Sequence, residues 1–287
     1  LQEHPYYGSF GYQVSNFFAL SSRFGTPEQF KELVDDAHAR GIAVIMDIVH
    51  SHAVSNEIEG LGRFDGREDL YFYPGEAGHH PAWGSRCFDY GKDETRFFLL
   101  SNVKYWMEEY HIDGIRVAAV SSMLYLNYGR RDGEYTPNRE GGYINLEAVD
   151  FLRKMNAVVL TRYAGAVTIA EESTAFPLIT APPSVGGLGF CLKWDMGFMH
   201  DTIDYMSLDP FFRSKNHNKL TFSMMYAFAE NYVLAYSHDE VVHGKGSMIN
   251  KMSGDYEDKF KSLRTLYGYQ FSHPGKKLTF MGGEFDL

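Results

Sequence analysis

An α/β fold built on parallel strands is what this sequence predicts, and three observations carry it. Amphipathic helical stretches are followed by short runs of β-branched apolar residues, and that order recurs along the chain. Residues able to do chemistry gather at the C-terminal ends of those runs, where parallel barrels and doubly wound sheets alike build their sites. With 287 residues, 44% hydrophobic and 22% charged, the chain can also bury a large core.

The first helix begins at Thr26, which can cap it, with Pro27 at the first helical position and Gln29 placed to complete a capping box. Phe30, Leu33, Val34 and Ala37 recur at helical spacing until Gly41 stops the pattern. Residues 42–49 then read as a strand buried on both faces, with Asp47, His50 and His52 at its far end. Leu99, Leu100, Val103, Trp106, Met107 and Tyr110 predict a second helix leading to a strand at 115–120. A third helix, carrying Phe151, Leu152, Met155 and Val159, leads to a strand at 166–170. Shorter strands are expected at 190–194, 232–236 and 277–281, with a helix around 220–229, which makes six strands in all. Residues 55–92 and 130–142 are polar and glycine-bearing, and read as long loops.

Composition removes several function classes. Lys and Arg total 27 against 37 Asp and Glu, and a net charge of −10 gives no general attraction to phosphate backbones or anionic lipid. Neither a nucleic-acid nor a membrane partner is therefore expected. No apolar run approaches the roughly 18 residues a membrane span needs, and the start lacks the pattern of a signal peptide. Cys87 and Cys191 are too few for a disulfide framework or a thiolate metal site, and a reducing cytoplasm is the easier reading. Both ends read as cut.

Motif exclusions narrow the chemistry. Gly244-Lys245-Gly246-Ser247 lacks the spacing of a phosphate loop, and no G-x-G-x-x-G after a strand, G-x-S-x-G or H-E-x-x-H is present. His50 and His52 could share a metal, but no further ligand completes the set, so no metal is expected. What remains is a series of groups at successive strand ends: Asp47 with His52, Arg116, Glu171 or Glu172, and His238 with Asp239. Each alone has a structural explanation, since Arg116 can pair with Asp47, Glu172 can start a helix and His238 can be a satisfied half-buried ring. Together they resemble the needs of glycosidic-bond chemistry, an acid for the leaving oxygen and a carboxylate for the anomeric carbon. The chain's 20 Tyr, 22 Phe and 3 Trp offer ample rings to stack on sugar faces.

Four ordered segments carry a resemblance: Asp47-Ile48-Val49-His50-Ser51-His52, Gly114-Ile115-Arg116-Val117-Ala118, Ile169-Ala170-Glu171-Glu172-Ser173 and Ser237-His238-Asp239-Glu240. They look like the four conserved regions of the α-amylase superfamily of (β/α)8 TIM-type barrels, glycoside hydrolase family 13. Longer strings resemble its glycogen and starch branching enzymes, among them Glu3-His4-Pro5-Tyr6-Tyr7-Gly8-Ser9-Phe10-Gly11-Tyr12, Ser122-Met123-Leu124-Tyr125, His238-Asp239-Glu240-Val241-Val242-His243-Gly244-Lys245 and Phe280-Met281-Gly282-Gly283-Glu284-Phe285. The resemblance implies cleavage of an α-1,4 bond and transfer of the glucan segment to a 6-hydroxyl, with α-1,4-glucan as partner and no cofactor. It implies Glu171 as general acid/base, Asp239 as the carboxylate that steadies the distorted sugar, and His52 and His238 as donors to its hydroxyls. Tyr12 would stack on the ring, while Arg116 and Asp47 would orient the nucleophile.

Two departures qualify those expectations. The nucleophile belongs at position 118, where this sequence has Ala118, and a methyl group can neither attack nor stabilise an oxocarbenium-like charge. The chain is accordingly expected to be inactive, through either a deliberate replacement or descent as a non-catalytic, glucan-binding pseudoenzyme. An amylase-like hydrolase on the same barrel is the enzymatic alternative. The second departure is length. Residues 1–287 read as one catalytic barrel core with six of eight strands and the tail of the second before His4, lacking the first strand, most of the second and the flanking N- and C-terminal β-domains.

Overall fold

The computed structural model describes residues 1–242, 244–283 and 285; His243 and Glu284, both within the strings quoted above, lie outside the described residues. The chain divides into two compact units. The first comprises Leu1–Glu171 with Pro177–Cys191, and the second comprises Glu172–Phe176 with Leu192–Leu287.

The first unit begins with β1 (Gln2–Glu3), paired antiparallel with β2 (Asn16–Leu20). The residues before His4 do form a strand, but its partner in this unit is antiparallel. Helix α1 (Pro27–Ala39) starts at the expected capping box: Gln29 N–H donates to Thr26 Oγ1, and the Gln29 side chain accepts from Thr26 N–H. Strand β3 (Ile45–Ile48) follows, then the short antiparallel pair β4 (His52–Ala53) and β5 (Arg86–Cys87). Helix α2 (Asp93–Glu109) precedes β6 (Gly114–Val117), a single turn α3 (Val120–Leu124), α4 (Leu146–Arg162) and β7 (Val167–Ala170). Strands β3, β6 and β7 are parallel neighbours in that order. Their core includes Ile48, Leu99, Trp106, Ile115 and Phe151, all fully buried.

Two expectations need correction here. The strand at 42–49 is not buried on both faces: within this unit β3 pairs only with β6, and Ile45 is 45% exposed. The strand placed at 115–120 ends at Val117, because Ala119 takes a left-handed conformation (φ 53°) and turns the chain into α3. Gly114 opens β6 for a steric reason, since a Cβ there would sit 2.3 Å from the Val167 carbonyl oxygen.

The second unit holds β8 (Leu192–Trp194), α5 (Met196–Ser207), α6 (Pro210–Arg213), α7 (Asn218–Thr221), β9 (Tyr232–Tyr236), α8 (Tyr256–Ser272) and β10 (Lys276–Thr279). Strands β8, β9 and β10 are again parallel neighbours. Phe198, Leu234, Tyr236, Ile249, Leu263 and Leu266 form its core. The helix expected around 220–229 is replaced by α7 and a 3₁₀ turn at Phe222–Met225. The apolar spacing misled there because Phe222, Met225 and Phe228 are exposed rather than packed.

Candidate active site

Strand register brings the first group of candidates together. In the β3–β6 ladder Asp47 lies opposite Arg116 and Ile48 opposite Val117, while Val117 lies opposite Ala170 in the β6–β7 ladder. The next step of that register sets Ala118 between Val49 and Glu171. Ala118 N–H donates to the Ile48 carbonyl and Glu171 N–H to the Val117 carbonyl, both at 3.0 Å. Side chains at 116 and 118 share one face of the strand, because facing alternates with period two.

Arg116 organises this end of the unit. Its Nη1 donates to Asp47 Oδ2 (2.8 Å) and to the Tyr12 hydroxyl (2.9 Å), and its Nη2 pairs with Glu171 Oε2 (3.2 Å). The Tyr12 hydroxyl in turn donates to Asp47 Oδ2 at 3.1 Å, and the guanidinium lies 5.9 Å from the Tyr12 ring centroid. Glu171 Oε2 also accepts from the Ala119 N–H at 2.6 Å. Burial opposes the positive charge of Arg116, but Asp47, Tyr12 and Glu171 outweigh it and push the guanidinium further up than usual.

His52 is engaged differently from expectation. Its Nε2 donates to the Tyr12 carbonyl (2.8 Å), and its Nδ1 accepts from the Ser51 hydroxyl (3.0 Å). Burial lowers its pKa to about 4, which keeps the ring neutral and suits that one-donor, one-acceptor arrangement. Both nitrogens are engaged within the protein, and the Nε2 bond holds the backbone of Tyr12. His50 is fully buried and bonds Asn102 Oδ1 at 2.9 Å; burial likewise lowers its pKa to about 4. Among the described residues no group of three or more His, Cys, Asp or Glu is placed to hold a metal ion.

Glu171 and Glu172, equivalent in sequence, separate in structure. Glu172 belongs to the second unit, is 1% exposed, and pairs through Oε2 with Lys193 Nζ at 2.7 Å; its Oε1 accepts from the Thr174 hydroxyl and N–H. That is a closed structural pair. In the same unit Ser237 caps a 3₁₀ turn, His238–Glu240, through a capping box with Glu240. His238 Nε2 lies 3.2 Å from Asp239 Oδ1, and both side chains are part-exposed.

Sequence reasoning missed Lys193, whose place inside the apolar run 190–194 was a signal for a buried carboxylate partner. It also missed His80 and Trp83, which stack at 3.9 Å with Trp83 4.9 Å from His52; they lie in a loop where no periodicity marks them.

Residues 3–63 match the family model "Alpha amylase, catalytic domain". The chain is 54% identical over 283 residues to the 1,4-alpha-glucan branching enzyme GlgB of Albidiferax ferrireducens, covering 99% of this chain and 45% of that protein. It is 57% identical to the enzyme of the same name from Corynebacterium glutamicum, covering 99% of this chain and 39% of that one. The chain thus spans less than half the length of these relatives. Among solved structures, a trehalose-6-phosphate hydrolase from Bacillus licheniformis has TM-score 0.74 at 20% identity, covering all of this chain and 57% of that one. An α-amylase from Geobacillus thermoleovorans complexed with acarbose has TM-score 0.70 at 16% identity, covering all of this chain and 59% of that one. These likenesses give the fold, an incomplete (β/α)8 barrel of the α-amylase type. No helix among the described residues is long and apolar enough to cross a membrane.

Proposed function

We propose that the chain, which is 54–57% identical over 99% of its length to 1,4-alpha-glucan branching enzymes, belongs to the α-amylase family and is part of the catalytic region of a cytoplasmic 1,4-α-glucan branching enzyme whose nucleophile position is vacant. The reading is supported above all by Arg116, which holds Asp47, Tyr12 and Glu171 around the strand end that carries Ala118. Adjacent parallel strands lie about 4.8 Å apart. A carboxylate at 118, neighbour in register to Glu171, would meet the spacing of about 5–5.5 Å that a retaining glycosidase needs.

The reaction follows from those roles. Glu171 protonates the leaving glycosidic oxygen, and a carboxylate at 118 captures the anomeric carbon. Glu171 then takes the proton of an incoming 6-hydroxyl as the new α-1,6 bond forms. Tyr12 offers a ring for the sugar to stack on, held by Arg116 through its hydroxyl and by His52 through its carbonyl. No cofactor takes part, and the partner is a linear α-1,4-glucan. With Ala118 in place the covalent step has no nucleophile, so the chain binds glucan without cutting it.

The test is Ala118→Asp, assayed on amylose with this chain grafted in place of the matching segment of the Corynebacterium glutamicum protein. The Asp form is expected to shift the iodine complex with little new reducing sugar, at a rate on the order of 10³-fold or more above the Ala form. Equal rates would overturn the nucleophile assignment. Release of reducing ends in proportion to cleavage would replace branching by amylase-like hydrolysis. Oligosaccharide affinity with an inactive Asp form would favour the glucan-binding protein, a reading that Ala118 itself supports.

A further inference from the structure

On the reading above, Ala118 blocks one half of a two-step reaction and leaves the other half open. In a retaining mechanism the first displacement inverts the anomeric carbon, so the sugar of an α-glucan passes through a β-linked ester with the nucleophilic carboxylate. The second displacement starts from that β-bond. It needs a group that leaves from the β-face and a base on the α-face for the incoming hydroxyl. A donor that brings its own β-face leaving group therefore enters the reaction halfway, where no nucleophile is required.

The base for that half remains in this chain and is held on both its backbone and its side chain. Val120 N–H donates to the Glu171 carbonyl at 2.9 Å, Ala119 N–H donates to Glu171 Oε2 at 2.6 Å, and Arg116 Nη2 lies 3.2 Å from the same oxygen. The Glu171 side chain still stays 20% exposed, so an incoming hydroxyl can reach it. Ala119 keeps its left-handed turn because the Ser122 N–H and hydroxyl both donate to its carbonyl, at 3.0 and 2.9 Å. The N–H aimed at Glu171 thus sits on a braced turn.

Position 118 suits a small leaving group. Its side chain ends at a methyl, on the strand face it shares with Arg116. A fluorine atom takes less room than the carboxylate a retaining enzyme carries there. The Arg116 guanidinium places positive charge on the face from which a fluoride ion departs.

We propose that the chain transfers glucan from a β-configured glycosyl fluoride to a glucan 6-hydroxyl, with fluoride leaving where the carboxylate would have left. The C1–F bond breaks and fluoride departs with the bonding electron pair. The acceptor's 6-oxygen forms the new C1–O bond from the opposite face, and its proton passes to Glu171. Nothing is oxidised or reduced, and the new bond is α. Cleaving that product would need the absent carboxylate, so it accumulates. The inference rests on the α-glucan reading above.

The anomer of the donor tests it, with maltoheptaosyl β-fluoride or α-fluoride as donor and maltoheptaose as acceptor, on the chain as it stands and in the graft described above. Fluoride release is read with an ion-selective electrode, and the lengthened α-1,6-linked product by mass spectrometry and NMR. With Ala118 the β-fluoride should be used and the α-fluoride left untouched. Ala118→Asp should reverse that preference, because its carboxylate attacks the α-fluoride and fills the place a β-fluoride needs. Glu171→Gln, with Ala118 kept, should slow transfer about 10²-fold, and transfer at an unchanged rate would overturn the proposal. The anomer comparison leaves Glu171 as it is, so it remains decisive should that variant fail to fold. If Ala118→Asp uses the α-fluoride while the Ala118 form gives no lengthened product from the β-fluoride, the inference falls and the α-glucan reading stands. If neither form uses either donor, both fall.

Discussion

Two ion-paired strand ends in this chain use the same chemistry to different effect. In the second unit Lys193 and Glu172 are 8% and 0% exposed at their side chains, and Thr174 satisfies the second carboxylate oxygen of Glu172. In the first unit Arg116 is equally buried at 3%, yet Asp47 is 38% and Glu171 20% exposed. Both arrangements neutralise a buried cation. Only the Arg116 arrangement of the first unit leaves its carboxylates reaching the surface, where a ligand can meet them. A closed pair acts on stability, whereas an open one can be spent on substrate.

The sharpest way to break that contrast is Lys193→Met, which leaves Glu172 buried without its partner. It should cost about 3–5 kcal/mol in urea denaturation. A loss below about 1 kcal/mol would show that the pair is no more closed than the first.

Acid provides the next largest effect per group, and it concerns the first unit. His50 and His52 have pKa values lowered by burial from 6.5 to about 4, so between those values the unfolded chain takes up protons that the folded rings refuse. Stability is fully present above about pH 6.5 and is lost as pH falls towards 4. The loss should reach on the order of 3 kcal/mol for each ring. Urea midpoints measured from pH 7 to 4 check this, and a flat profile would show the rings to be hydrated.

The smallest stability effect belongs to the open pair. Asp47→Asn should cost less than about 1 kcal/mol, because the carboxylate is more than a third exposed and its ion pair is screened. Glucan affinity should nevertheless fall at least tenfold, through misplacement of Arg116 and Tyr12. A large stability loss with unchanged affinity would reverse the contrast between the two strand ends.

Legibility in the sequence follows the same division. The capping box of Thr26 and Gln29 depends on residues three apart, and the parallel strands depend on runs of β-branched residues, so both could be read locally. Asp47 and Arg116 could be nominated but not joined, because their contact arises from ladder register across 69 residues. Spacing alone left Glu171 and Glu172 open and the resemblance chose Glu171, while the physical contrast between them, the closed pair of Glu172 with Lys193, came only with the structure. His52 looked like a ligand-facing donor, whereas its partners, Ser51 and the backbone of Tyr12, are ones that no side-chain pattern announces. The stretch 220–229 failed for the opposite reason: its apolar residues keep helical spacing but are exposed, so periodicity there reports no buried face.

The central claim is that Tyr12, Arg116 and Glu171 surround a sugar whose covalent captor is missing. A crystal structure of the chain with maltoheptaose tests it most directly. The account predicts a glucose ring packed on Tyr12, with Glu171 within hydrogen-bond distance of a glycosidic oxygen and the Ala118 methyl facing the anomeric carbon. Glucan bound elsewhere on the first unit, with Tyr12 and Glu171 untouched, would contradict it.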